Sequence, residues 1–144
     1  MIVNSGVSGE TSAGGLTRID WVLGRELDVF VLELGANDGL RGLPIQQTMQ
    51  NLMDIIDKVK QKYPEAEIVI AGMMVPPNMG RAYASGFEDI YPALALKYQA
   101  KLIPFLLEGV AGDPELNQPD GIHPNVKGHE IVGHTVYRTI VSYF

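Results

Sequence analysis

The chain has 144 residues, 46% of them apolar and 19% charged, enough for one domain with a core and too apolar for a disordered or collagenous chain. Eleven Lys and Arg against seventeen Asp and Glu leave a net charge of −6, which gives nucleic acid no general reason to bind. With no Cys, disulfide, thiolate-metal and cysteine-nucleophile chemistry are excluded, and serine, carboxylate and histidine chemistry remain.

The longest nearly continuous apolar run, Ile68 to Val75, is far short of the roughly 20 residues of a transmembrane helix, so no transmembrane segment is expected. Met1-Ile2-Val3 reads as a short opening strand with no charged leader before it. Gly6 to Gly15 reads as a loop, and Thr11 or Ser12 can cap a helix reaching about Arg25, with Leu16, Ile19 and Leu23 on one face. Asp28 to Leu34 is a strand whose unbroken Val-Phe-Val-Leu run predicts cover on both faces of a sheet.

Pro44 suits a first helical position, and Ile45, Met49, Leu52, Met53, Ile56 and Val59 recur at helical steps up to Lys62. A second buried strand is expected from Glu67 to Met73, then a break at Pro76-Pro77-Asn78-Met79-Gly80. A helix from about Arg81 to Ala100 follows, with Pro92 inside it as a source of a kink. Lys101 to Phe105 is a short strand, and a last helix starts near Asn125. No repeat or linker divides the chain, so it reads as one domain over residues 1–144. Alternating strands and helices predict an α/β fold with a parallel sheet and right-handed crossovers.

Ligands of open α/β sheets bind beyond the carboxyl ends of the strands, which directs attention to the loops there. Asp120-Gly121-Ile122-His123-Pro124 is the sharpest. Its Asp can fold back onto the imidazole Nδ1, fix the tautomer and leave Nε2 free as a general base, or it can cap an ordinary polar turn. Asn37, just after a buried strand, can donate to an oxyanion, although Asn-Asp-Gly is equally a turn sequence. Gly9 can offer a backbone N–H close to a ligand. His123, His129 and His134 give no compact metal set, since residues five apart on a helix point about 140° from each other. The first loop matches neither a dinucleotide fingerprint nor a P-loop, and its Gly6-Val7-Ser8-Gly9-Glu10 misses the spacing of a nucleophile elbow, which speaks against Ser8 as nucleophile.

Taken in order, Ser5-Gly6-Val7-Ser8-Gly9-Glu10-Thr11-Ser12, Gly35-Ala36-Asn37-Asp38 and Asp120-Gly121-Ile122-His123-Pro124 resemble the blocks of the SGNH (GDSL-like) hydrolases, most of all the bacterial thioesterase, arylesterase and lysophospholipase members. The resemblance covers nearly the whole chain, including Gly39-Leu40-Arg41-Gly42 and Pro76-Pro77-Asn78, the latter corresponding to a mobile segment beside an acyl-chain groove. It implies a flavodoxin-like three-layer α/β/α fold of strand order 2-1-3-4-5. It also implies Asp120 and His123 as triad acid and base, Gly9 and Asn37 as the oxyanion hole, and a small acyl ester or thioester substrate with no cofactor. The family's Gly-Asp-Ser block, which carries the nucleophilic serine, has no counterpart here, so the resemblance implies a domain lacking its first strand and its nucleophile. The alternative is a non-catalytic, vestigial or ligand-binding domain. Relatives of this kind are often exported, which makes a periplasmic or secreted location an expectation from the resemblance.

Overall fold

A computed structural model describes residues 1–143. Three parallel strands, β1 (Val29–Leu32), β2 (Glu67–Ala71) and β3 (Lys101–Ile103), lie in the order β1-β2-β3, with Val29 opposite Glu67 and Val69 opposite Lys101. Six helices accompany them: α1 (Ser12–Val22), α2 (Ala36–Leu40), α3 (Ile45–Lys62), α4 (Arg81–Glu88), α5 (Ile90–Tyr98) and α6 (Val126–Ile140).

The period-2 alternation of β2 builds the layers. Ile68 and Ile70 point to one face, where they join Leu52, Ile56, Phe87 and Leu94 in the main core under α1, α3, α4 and α5. Val69 and Ala71 point to the other, where with Ile103 they meet Val136 and Ile140 of α6. On α3, Thr48, Leu52, Ile55, Ile56 and Val59 are buried at helical spacing. A fully buried side chain of the Leu or Ile class contributes about 2 kcal/mol, so this face of α3 is what holds the helix to the sheet.

Several elements differ from the sequence expectation. Met1-Ile2-Val3 forms no strand: Ile2 is 89% exposed, because no neighbouring strand among the described residues offers it a ladder of hydrogen bonds. Cover on both faces holds for β2 but not for β1. Val31 shares the face of Val29 and is 41% exposed, since α6 lies over β2 and β3 and leaves β1 open on that side. β1 is also an edge, paired with β2 alone among the described residues.

The expected helix over Arg81 to Ala100 is two helices meeting at Asp89. Pro92 explains the break: it has no N–H to give residue 88, and by starting a new helix at Ile90 the chain places it in a first turn, where that N–H is not needed. Pro44 occupies the capping position of α3 rather than its first turn. α1 stops at Val22, short of Arg25, and β3 stops at Ile103 before Pro104. The Ala36–Leu40 helix replaces the turn that Asn-Asp-Gly suggested, because Gly39 lets it press flush against Val75 and Phe87.

Candidate active site

The segment after β3 closes on itself. Gln118 N–H donates to the His123 carbonyl at 2.7 Å, its side-chain amide donates to the Pro124 carbonyl at 3.1 Å, and Gly121 N–H returns to the Gln118 carbonyl at 2.9 Å. Gly121 takes φ +69°, the left-handed turn that glycine adopts without strain. That turn brings Ile122 and His123 N–H onto one oxygen of Asp120, at 2.9 and 3.0 Å. The other oxygen meets His123 Nδ1 at 2.7 Å.

Asp120 is held well below the usual carboxylate range, at about 2, chiefly by the backbone N–H of His123, then by that of Ile122, then by the imidazole itself. The carboxylate therefore stays ionised while it orients the ring, and His123 Nε2 makes no hydrogen bond among the described residues. Both side chains are exposed, 64% for His123 and 44% for Asp120, so the ring is open to a partner from outside. Asn125 anchors the segment to α6: its carboxamide oxygen caps Gly128 N–H at 3.1 Å, and its nitrogen donates to the carbonyl of Glu115 at 2.8 Å.

Gly9 and Asn37 lie on two other segments that the structure ties together. Gly9 takes φ +75° in the loop before α1, and its carbonyl accepts from the Arg41 guanidinium, just past α2, at 2.9 Å. Ser12, the first residue of α1, gives both its N–H (2.7 Å) and its hydroxyl (2.5 Å) to the buried carboxylate of Asp38 on α2. Neither the Gly9 N–H nor the Asn37 carboxamide has a hydrogen-bond partner among the described residues. Two unspent donors thus stand on segments whose relative position is fixed by their neighbours.

Gly35, with φ +110°, connects β1 to α2, and Tyr91 packs beneath it, its hydroxyl donating to the Leu34 carbonyl at 3.4 Å. Burial first, then the carboxylates of Glu33 and Asp38, push the Tyr91 phenol upward, so it stays a proton donor there. Asn37 lies on α2, which follows the end of β1, and the Asp120–His123 loop lies in the connection from β3 to the start of α6. Direct hydrogen bonds join Asp120 to His123 and the Gly9 segment to α2, while none joins the first pair to the second among the described residues.

Sequence reasoning missed Asp38, Ser12, Thr48 and Asn51 as a connected set. Thr48 carried the one readable signal, a polar residue on the apolar stripe of α3 between Ile45 and Leu52.

A profile of the GDSL-like lipase/acylhydrolase family matches residues 1–131. The chain is 39% identical over 140 residues to esterase TesA of Pseudomonas aeruginosa, an alignment covering 96% of this chain and 69% of that protein. It is 44% identical over 125 residues to thioesterase 1/protease 1/lysophospholipase L1 of Escherichia coli (strain K12), covering 86% of this chain and 59% of that protein. A crystal structure of TesA superposes with a TM-score of 0.93 at 38% identity, covering 100% of this chain and 79% of that one. With the parallel sheet and flanking helices found here, these matches establish that the chain belongs to the GDSL-like lipase/acylhydrolase family, the SGNH ester hydrolases.

Proposed function

We propose that this chain is the acid–base and oxyanion portion of a serine hydrolase that cleaves carboxylic esters or thioesters of small acyl substrates, with the nucleophilic serine supplied by a segment N-terminal to Met1. The observation that carries this reading is the 2.7 Å contact from Asp120 to His123 Nδ1, with Nε2 left unengaged. In this mechanism His123 Nε2 takes the serine proton as the serine oxygen attacks the acyl carbonyl, and the imidazolium that forms is held by ionised Asp120. The developing oxyanion is met by the Gly9 N–H and the Asn37 carboxamide, two donors with no hydrogen-bond partner among the described residues. His123 then gives the proton to the leaving alcohol or thiol; in the second half the same ring deprotonates the water that attacks the acyl-serine and returns that proton to the departing serine oxygen, releasing the acid. The residues required are neutral imidazole, carboxylate, amide and hydroxyl, and no step draws on a cofactor.

A serine-directed fluorophosphonate probe tests this on the present chain, which is expected to stay unlabelled, and on a version extended upstream. Labelling of a version extended upstream through the serine, together with hydrolysis of p-nitrophenyl esters or acyl thioesters, supports it, and an extended version that is neither labelled nor active overturns it. A second reading is a ligand-binding domain without catalysis. Ligand retention by an inactive extended version would favour it.

A further inference from the structure

We propose that Asp38 is a positioning residue that sets the oxyanion hole by clamping the Gly9 segment and α2 to each other. This rests on the reading of Gly9 and Asn37 as the oxyanion donors. Neither donor is held by a bond of its own among the described residues, so its location depends on the backbone that carries it.

Asp38 fixes both backbones at once. It is 1% exposed, and its carboxylate accepts from Ser12 N–H at 2.7 Å, Ser12 Oγ at 2.5 Å and Thr48 Oγ1 at 3.2 Å. Asn51 Nδ2 in turn donates to Ser12 Oγ at 2.9 Å. Asp38 immediately follows Asn37 on α2, and Ser12 is three residues past Gly9 on the segment leading into α1. Successive residues on a helix point about 100° apart, so Asp38 can be buried while Asn37 faces elsewhere. A carboxylate at the first N–H of α1 also meets the positive end of that helix, where Ser12 N–H would otherwise lack an acceptor. Thr48 and Asn51 bring α3 into the same knot, which references both donors to the longest helix of the fold. Arg41, reaching from the far end of α2 to the Gly9 carbonyl at 2.9 Å, is a second strap across the same gap. A buried carboxylate is costly to hold in the core unless its hydrogen bonds are made, so the knot has one well-satisfied arrangement.

The test uses two readouts. In the 15N-labelled chain, Asp38→Asn is expected to shift the amide resonances of Gly9 and of the Asn37 side chain, while those of Leu52 and Leu94 in the core stay in place. Unmoved Gly9 and Asn37 signals in a folded Asp38→Asn protein overturn the proposal. If that variant does not fold, Ser12→Ala, which removes one donor and keeps the Ser12 N–H, is read in the same way. In the upstream-extended enzyme, kcat per fluorophosphonate-titrated site is expected to fall about tenfold or more in Asp38→Asn with KM within about twofold, the pattern of a weakened transition-state contact. A kcat kept at the wild-type level overturns the positioning role. An extended wild type without hydrolysis overturns the functional reading instead, and the resonance shifts then decide the role of Asp38 alone.

Discussion

The Tyr91 hydroxyl stands 2.8 Å from the point where a Cβ on Gly35 would be, directly under the turn from β1 into α2. Two costs therefore meet in Gly35→Ala: strain at φ +110° and collision with the phenol. The variant is expected to lose about 2–4 kcal/mol of stability. Combining it with Tyr91→Phe removes the oxygen and should restore part of the loss, leaving the backbone strain of about 1–2 kcal/mol. Urea unfolding of the two single variants and the double variant measures the coupling, and strictly additive losses would contradict the contact.

Asp120 should titrate near 2 when followed by the carboxyl 13C shift in a pH series. Because backbone N–H groups are its first two causes, His123→Ala should leave the carboxyl below the usual range, while Gly121→Val, which opposes the φ +69° turn, should bring it back up. Folding favours the ionised form here. The stabilisation is thus present above the usual carboxylate pKa of about 4 and disappears as pH falls from there through about 2. A carboxyl that titrates at its ordinary value in the wild type would contradict the hydrogen bonding described.

The join between the Asp120–His123 segment and α6 offers two substitutions with different signatures. Asn125→Ala removes the cap on Gly128 and the bond to the Glu115 carbonyl, an expected cost of about 1–2 kcal/mol. Gly128→Ala would drive a Cβ into the Leu116 carbonyl, closer than any real contact, so the start of α6 must move away. Circular dichroism should show α6 retained in both, while the His123 ring resonances move further in Gly128→Ala.

The open edge of β1 can be read by amide exchange. In a parallel pair the N–H and C=O of one residue point the same way, and the Asp28 carbonyl accepts from Glu67 N–H at 2.8 Å. By alternation Phe30 and Leu32 face β2, and Val29 and Val31 face outward. The Val31 amide should exchange at least about a hundredfold faster than those of Phe30 and Leu32. Equal protection of all three would mean that the outward edge is paired.

Legibility from sequence followed the range of the forces involved. α3 was readable to the residue at its C-terminal end and to within one residue at its start, because a long amphipathic stripe repeats its signal with every turn. The Asp120–His123 contact was readable because its partners are three residues apart and Gly121 between them permits the turn. α2 was not, since Asn-Asp-Gly locally favours a turn and the helix exists through the fit of Gly39 against Val75 and Phe87, residues distant in the chain. Asp38 escaped for the same reason: its donors come from Ser12 and Thr48, which no local pattern connects to it. The opening strand failed for want of a neighbour, because an apolar triplet specifies a willingness to pair and not a partner.

Every bond that orients the His123 ring begins and ends between Gln118 and Pro124. The aim of the imidazole relative to Asp120 is consequently a property of a small chelate-like ring of chain, which Asn125 ties to α6 as a unit. The Gly9 and Asn37 donors, by contrast, are referenced across α1, α2 and α3 through Asp38, so their alignment is set by contacts between residues distant in the chain.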